Sequence, residues 1–304
     1  MEKQAVVKEL LSRGIMVTPD TLNKIEEIGF ETYMKQRSGA SVDSGGEEKI
    51  QCKVQVTEKQ AEMSPADAIQ AGLARFEKLR KILLRRADAI SISNIGRSNS
   101  KICIIGMAKE KTNEGFLIED STGEIRVGTN DIVDVGDVVA VRGWMRDKML
   151  ISEEILYPEI PINREISAME GTVLLTSEDQ ISRDDADIVI TPDTLLGEGK
   201  ERRMPNPAWV FLEKGGKTTT VLVFVVNGTV DRKTAQNWLR KRYLGQENRP
   251  FTNIDKVMEN IPDILWIISK NDPWYENYKG VTVVSFGIGK RSLIDLKTRE
   301  VKLG

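Results

Sequence analysis

The sequence predicts a multidomain α+β protein: a helical unit, a small β-barrel and a layered α/β domain. Three observations predict it. Between Lys101 and Pro161 five short apolar runs follow one another at even spacing, with Gly and Asp at the joins. Ahead of them, residues 64–87 carry apolar side chains at helical period. After Pro161, short β-branched runs alternate with helical patterns. Short, evenly spaced strands indicate a sandwich or barrel, and strands interleaved with helices indicate α/β layers.

Residues 1–37 form the helical unit. Val6, Leu10 and Leu11 share a face before Gly14, and Thr18-Pro19-Asp20 starts a second helix as N-cap, first turn and favourable acid. Alone this unit buries little, so it docks on a partner or on the rest of the chain, or else remains an appendage. Residues 38–63 are a linker that opens SGASVDSGGEE, with an isolated strand expected at 50–56.

The next unit is 64–162. Its helix has the stripe Ile69, Leu73, Phe76, Leu79 and Leu83, with Ile82 beside it. From Leu73 to Asp88, six Lys/Arg stand against two acids, a local charge of +4. Arg75, Lys78, Lys81, Arg85 and Arg86 are therefore candidate DNA-phosphate contacts; a solvated helix face is the alternative. The strands then read 101–109, 115–120, 123–128, 137–145 and 148–157. Gly106 in the first lets a small barrel bend sharply, which favours the OB type. The barrel offers only Phe116, Trp144 and Tyr157 as aromatics, so base stacking on it is expected to be weak.

The last unit is 163–304. Strands are expected at 172–175, 187–190, 208–212, 220–226, 263–268 and 281–286, helices at 231–242 and 253–260, and a final strand pair at 294–303. Val221–Val226 (VLVFVV) has the continuous apolar character of a strand covered on both faces. The prolines of Tyr157–Pro161 stiffen the link between barrel and α/β domain, which should pack together there. Trp274 and Tyr275 follow the turn sequence Asn271-Asp272-Pro273 and are expected on an exposed loop, where aromatics suit a partner interface.

Composition excludes several classes. With no histidine in 304 residues, a Ser-His-Asp or Cys-His site, a histidine base and any zinc site using imidazole are ruled out. Cys52 and Cys103 lie far apart and have no metal-ligand spacing, which suits a reducing compartment. The net charge is −2, so nucleic-acid contact must come from local patches. No apolar run reaches membrane-spanning length and no signal peptide is evident, so a cytoplasmic protein with no membrane partner is expected.

The order of these units, with RFEKLRKILLRRADAISISNIG (75–96), ILYPEIPINRE (155–165), MPNPAWVFL (204–212), IPDIL (261–265) and YKGVTVVSFG (278–287), resembles the small subunit of the archaeal family-D DNA polymerases (DNA polymerase II). The resemblance implies an OB fold followed by a calcineurin-like phosphoesterase domain, here truncated, and a large catalytic subunit as partner. In that family the phosphoesterase domain is a 3′–5′ exonuclease with two metal ions held by Asp, Asn and His. This chain departs from the motifs that can be placed. Glu178 and Gln180 stand in Ser177-Glu178-Asp179-Gln180 where the family has Ser-Asp-x-His. Asn227 replaces the His of Tyr-His-Gly, and Ser269 and Asn271 fall in the degraded Gly-His-x-His stretch. A remnant of the Gly-Asn-His-Asp motif is read at Thr191-Pro192-Asp193-Thr194.

A binuclear site neutralises developing charge and generates hydroxide, functions that need the full ligand set. The expectation is therefore a degenerate site with no catalytic residue, no metal and no cofactor. The chain would be a non-catalytic accessory or scaffold subunit of a replicative DNA polymerase, stabilising a large subunit and contacting DNA weakly. The alternatives are an active 3′–5′ exonuclease, which an all-oxygen set of Asp179, Asp193, Asn227, Asn271 and Asp272 would have to support, and a stand-alone OB-fold single-strand binder.

Overall fold

A run of β-branched residues flanked on both sides by apolar layers organises the larger half of the molecule. In this computed structural model the described residues are 49–55, 65–96, 100–177, 186–191, 206–245, 256–287 and 289–304. The helical unit 1–37, the linker up to residue 48, Glu178, Asp179, Gln180 and Asp193 lie outside them. Among the described residues the chain is mostly β, with two α-helices. Residues 49–304 cluster as one compact unit.

Strand β10 (Lys217–Val225) lies in a six-stranded sheet with β1 (Gln51–Gln55), β9 (Ala208–Lys214), β11 (Ile264–Ile268), β12 (Trp274–Tyr278) and β13 (Val281–Phe286), in the order β1-β9-β10-β11-β13-β12. The strands β10, β11 and β13 run parallel. Val221 and Val223 enter one core while Leu222 and Phe224 enter the other, as the continuous apolar run requires. The first core includes residues of a four-stranded sheet of β7 (Thr172–Thr176), β8 (Ile188–Ile190), β14 (Arg291–Asp295) and β15 (Val301–Leu303). The second core includes Ala235, Trp238 and Leu239 of α2 (Arg232–Lys241). Asp231 caps that helix by accepting from Thr234 N at 2.7 Å, which satisfies one of its orphan donors.

The barrel comprises β2 (Ile102–Thr112), β3 (Gly115–Asp120), β4 (Gly123–Gly128), β5 (Val138–Arg146) and β6 (Met149–Leu156). It closes in the order β2-β3-β4-β6-β5, with β4 and β6 parallel. Gly106 is required by close approach: a Cβ there would lie 2.6 Å from Glu119 O. Helix α1 (Pro65–Leu84) lays Phe76, Leu79 and Leu83 against Cys103, Ile105, Val138 and Ala140. Its stripe runs on past this cover, leaving Ile69 and Leu73 65% and 52% exposed.

Three expectations change. Residues 256–260 are not helical: Val257 forms an antiparallel bridge with Tyr243, and Met258 N donates to Arg242 O. Residues 274–278, expected as a loop, form edge strand β12, paired antiparallel with β13. The turn that makes the pairing is Lys279-Gly280, both at positive φ (48° and 81°), the backbone twist that suits a two-residue hairpin. The strand expected at 50–56 is β1, and it pairs with β9 along Gln51–Gln55.

Candidate functional site

Ligands of open α/β sheets bind beyond the carboxyl ends of the parallel strands. Asn227, Ser269 and Asn271 all lie there, one to three residues past β10 and β11. Ser269 is buried; its Oγ donates to Asn271 Oδ1 at 3.0 Å and shares a hydrogen bond with Ser285 Oγ at 2.9 Å. The Asn271 amide pairs with the backbone of Val230 in both directions: Val230 N donates to Oδ1 at 2.7 Å and Nδ2 donates to Val230 O at 2.8 Å. Asn227, Lys270 and Asp272 are exposed.

Ser269, Asn271 and Ser285 form a neutral hydroxyl and amide network whose hydrogen bonds are made to one another and to Val230. Their oxygens carry no charge, so these three residues do not fit a pair of divalent ions, which favour anionic oxygen ligands; the carboxylate beside them is Asp272. Among the described residues no group of three or more Cys, Asp or Glu side chains converges.

The basic face of α1 divides in two. Arg75 donates through Nη2 to Gly136 O, and its guanidinium lies 4.1 Å from the Tyr243 ring centroid. Arg86 Nη1 donates to Tyr157 O at 2.9 Å and Pro158 O at 2.8 Å. Lys78 pairs with Glu259 at 2.8 Å. These three side chains tie the helix to other parts of the fold. Lys81 and Arg85 are exposed and remain available to solvent anions. On the barrel, Lys109 lies between Glu119 and Glu124 at 3.0 and 3.1 Å. Phe116 and Tyr157 are buried, and the exposed aromatic is Trp144 on β5.

Trp274 and Tyr275 point to opposite sides of edge strand β12. Trp274 packs against the α2 core, donates to Val230 O at 3.2 Å and has Arg232 5.7 Å above its ring. Tyr275 is 48% exposed.

The sequence reading missed a polar junction between barrel and sandwich. Lys241 Nζ lies 3.0 Å from Asp137 and 3.1 Å from Asp134, both in the loop before β5. Tyr157 OH donates to Asp137 at 3.3 Å, and the Arg240 guanidinium lies 4.0 Å from the Tyr157 ring centroid. Burial pushes the Asp137 carboxyl up, against the pull of Lys241. One link along, Glu159 accepts from Tyr278 OH at 3.1 Å and pairs with Lys279 at 2.8 Å. The Tyr157–Pro161 segment does join the two parts, with Ile160 entering the α2 core.

These features define a class: a five-stranded barrel joined to a layered α/β sandwich through a charged seam, with a neutral network where such a sheet would bind a ligand. Over 101 residues the chain is 29% identical to the DNA polymerase II small subunit of Archaeoglobus fulgidus. That match covers 30% of this chain and 21% of the archaeal protein. No protein-family model matches.

Proposed function

We propose that this chain is a non-catalytic accessory subunit of a family-D-like DNA polymerase, whose partner is a large catalytic subunit. The observation that carries this reading is the partial similarity to the DNA polymerase II small subunit. The barrel order β2-β3-β4-β6-β5 supports an OB-type module. The two sheets and helix of the sandwich support a truncated calcineurin-like domain. The neutral cluster of Ser269, Asn271 and Ser285 supports a scaffold role for it. The proposal includes a cytoplasmic location and a weak DNA contact through the exposed end of the α1 basic face.

The test is affinity purification of the tagged full chain from its source cells at moderate salt. The expected result is stoichiometric recovery of a polymerase large subunit. Recovery of the chain without any replication protein would overturn the reading. In parallel, the purified chain is expected to leave single-stranded 3′ ends intact in manganese or magnesium; cleavage that tracks with the pure protein would favour the exonuclease reading.

A further inference from the structure

The opposite end of the parallel strands, at their amino ends, holds an unbalanced cluster of buried charge. Asp263 precedes β11, and its Oδ2 accepts from Thr220 N at 2.9 Å and Thr220 Oγ1 at 3.0 Å. Two arginines from distant segments approach its other oxygen: Arg164 Nη2 at 3.4 Å and Arg299 Nη2 at 3.8 Å. Both separations exceed those of a good charge-assisted hydrogen bond. The same Nη2 atoms donate instead to backbone, Arg164 to Gly280 O and Arg299 to Ser167 O, each at 2.7 Å. The side chains of Arg164, Arg299 and Asp263 are 12%, 9% and 8% exposed.

Two guanidinium charges therefore share one carboxylate away from solvent. The donors are also in surplus. Arg164 Nε, Arg299 Nε and Arg299 Nη1 are buried without a hydrogen-bond partner, as is Oγ1 of Thr282, whose backbone N donates to Asp263 O at 3.0 Å. Burial lowers the pKa of both arginines; Asp263 partly opposes this for both, and Asp295 adds a weaker opposition at Arg299. Arg242, itself buried and lowered to about 10, adds repulsion from Arg164. Buried polar groups in native proteins are nearly always partnered, and an exception calls for an explanation in strain, function, a water or an ion. A water would satisfy a donor without balancing the charge; an anion does both.

We propose that Arg164 and Arg299, with the Thr282 hydroxyl, bind a small tetrahedral oxyanion, inorganic phosphate or sulfate, beneath the six-stranded sheet. A phosphate monoester presents the same oxygens, but the depth of the arginines favours the free ion. The site is at the far end of the strands from Asn227 and Ser269, and it does not depend on the polymerase reading.

The test is isothermal titration and thermal unfolding of the full chain, comparing sodium phosphate and sodium sulfate with sodium chloride at equal ionic strength, with dAMP as a further arm. One phosphate should bind per chain. At about ten times its dissociation constant it should raise the midpoint by about 3–6 °C over chloride. Arg299→Gln should weaken binding about tenfold or more. Should that variant fold poorly, Thr282→Val keeps the shape and should weaken binding about threefold, the scale of one lost hydrogen bond. Equal midpoints in phosphate, sulfate and chloride, undiminished binding in both variants, or binding of dAMP but not of phosphate would each overturn the proposal.

Discussion

Lys241, the last residue of α2, holds its Nζ 3.0 Å from Oδ1 of Asp137, a barrel residue 4% exposed. Removing one partner of such a pair strands the other charge in a low-dielectric site. Lys241→Met is expected to cost about 3 kcal/mol in urea unfolding. Adding Asp137→Asn should restore a substantial part of that loss, since the stranded charge is then gone. Strictly additive losses would show that the two groups do not interact.

Acid should weaken the fold through specific turns. Asp120 is held below its usual 3.8: burial raises it, but hydrogen bonds from Thr122, Ile92 and Gly123 outweigh burial. Asp295 is lowered chiefly by the backbone N–H of Thr298. A carboxylate whose folded pKa is depressed contributes stability that is present above its unfolded value and lost as pH falls through the folded one. Asp137 has the opposite sign: its raised pKa favours the fold most below 3.8, and that contribution is lost as pH rises through the folded value. The depressed set is larger, so the midpoint should fall below about pH 4. Asp120→Ala should lower stability at neutral pH and flatten that fall. An unchanged acid profile in the variant would remove Asp120 from the account.

The two β12 aromatics should separate by experiment. Trp274 is anchored by Val230 O and the α2 core, so Trp274→Ala should cost about 2 kcal/mol of stability. Tyr275 is 48% exposed, so Tyr275→Ala should leave the midpoint within about a degree. If β12 meets a partner subunit, Tyr275→Ala should reduce recovery of that partner about tenfold or more, as a central interface aromatic does. Full recovery with Tyr275→Ala would move the interface elsewhere.

DNA contact by α1 should run through Lys81 and Arg85. Each phosphate neutralised adds close to one to the salt slope of binding, so Lys81→Ala with Arg85→Ala should reduce that slope by about two. Arg75→Ala should instead lower stability, because its guanidinium joins Gly136 to Tyr243. An unchanged slope in the double variant would locate DNA contact, if any, off this face.

Elements whose signal is local were legible in the sequence. The five barrel strands were placed within a few residues because turn residues separate short apolar runs, and VLVFVV showed a strand covered on both faces. Strand β12 was hidden because Trp-Tyr-Glu-Asn-Tyr after a proline reads as a turn, and its pairing depends on β13. The stripe of α1 gave the correct face but not the extent of its cover, and Ile69 and Leu73 stay exposed. For the candidate site, the neutral residue types at Asn227, Ser269 and Asn271 were visible in the sequence. The closure of Asn271 onto Val230 was not, because it joins positions 41 residues apart. The Lys241 seam spans more than 100 residues, and no window of sequence carries that pairing.

The pairing of Gln51 with Glu213 has a consequence for how the protein is made. Strand β1 leaves the ribosome before the whole barrel, yet its partner β9 follows the barrel by roughly fifty residues of chain, so the first strand of the sandwich must wait for it. The barrel has its own core and a local strand order, and it can form in that interval, since contacts close in sequence form fastest. The barrel is thus inserted into the sandwich. A truncation starting at residue 64 would isolate the barrel's start cleanly but strip the edge from β9, exposing a strand that is prone to pair with other chains.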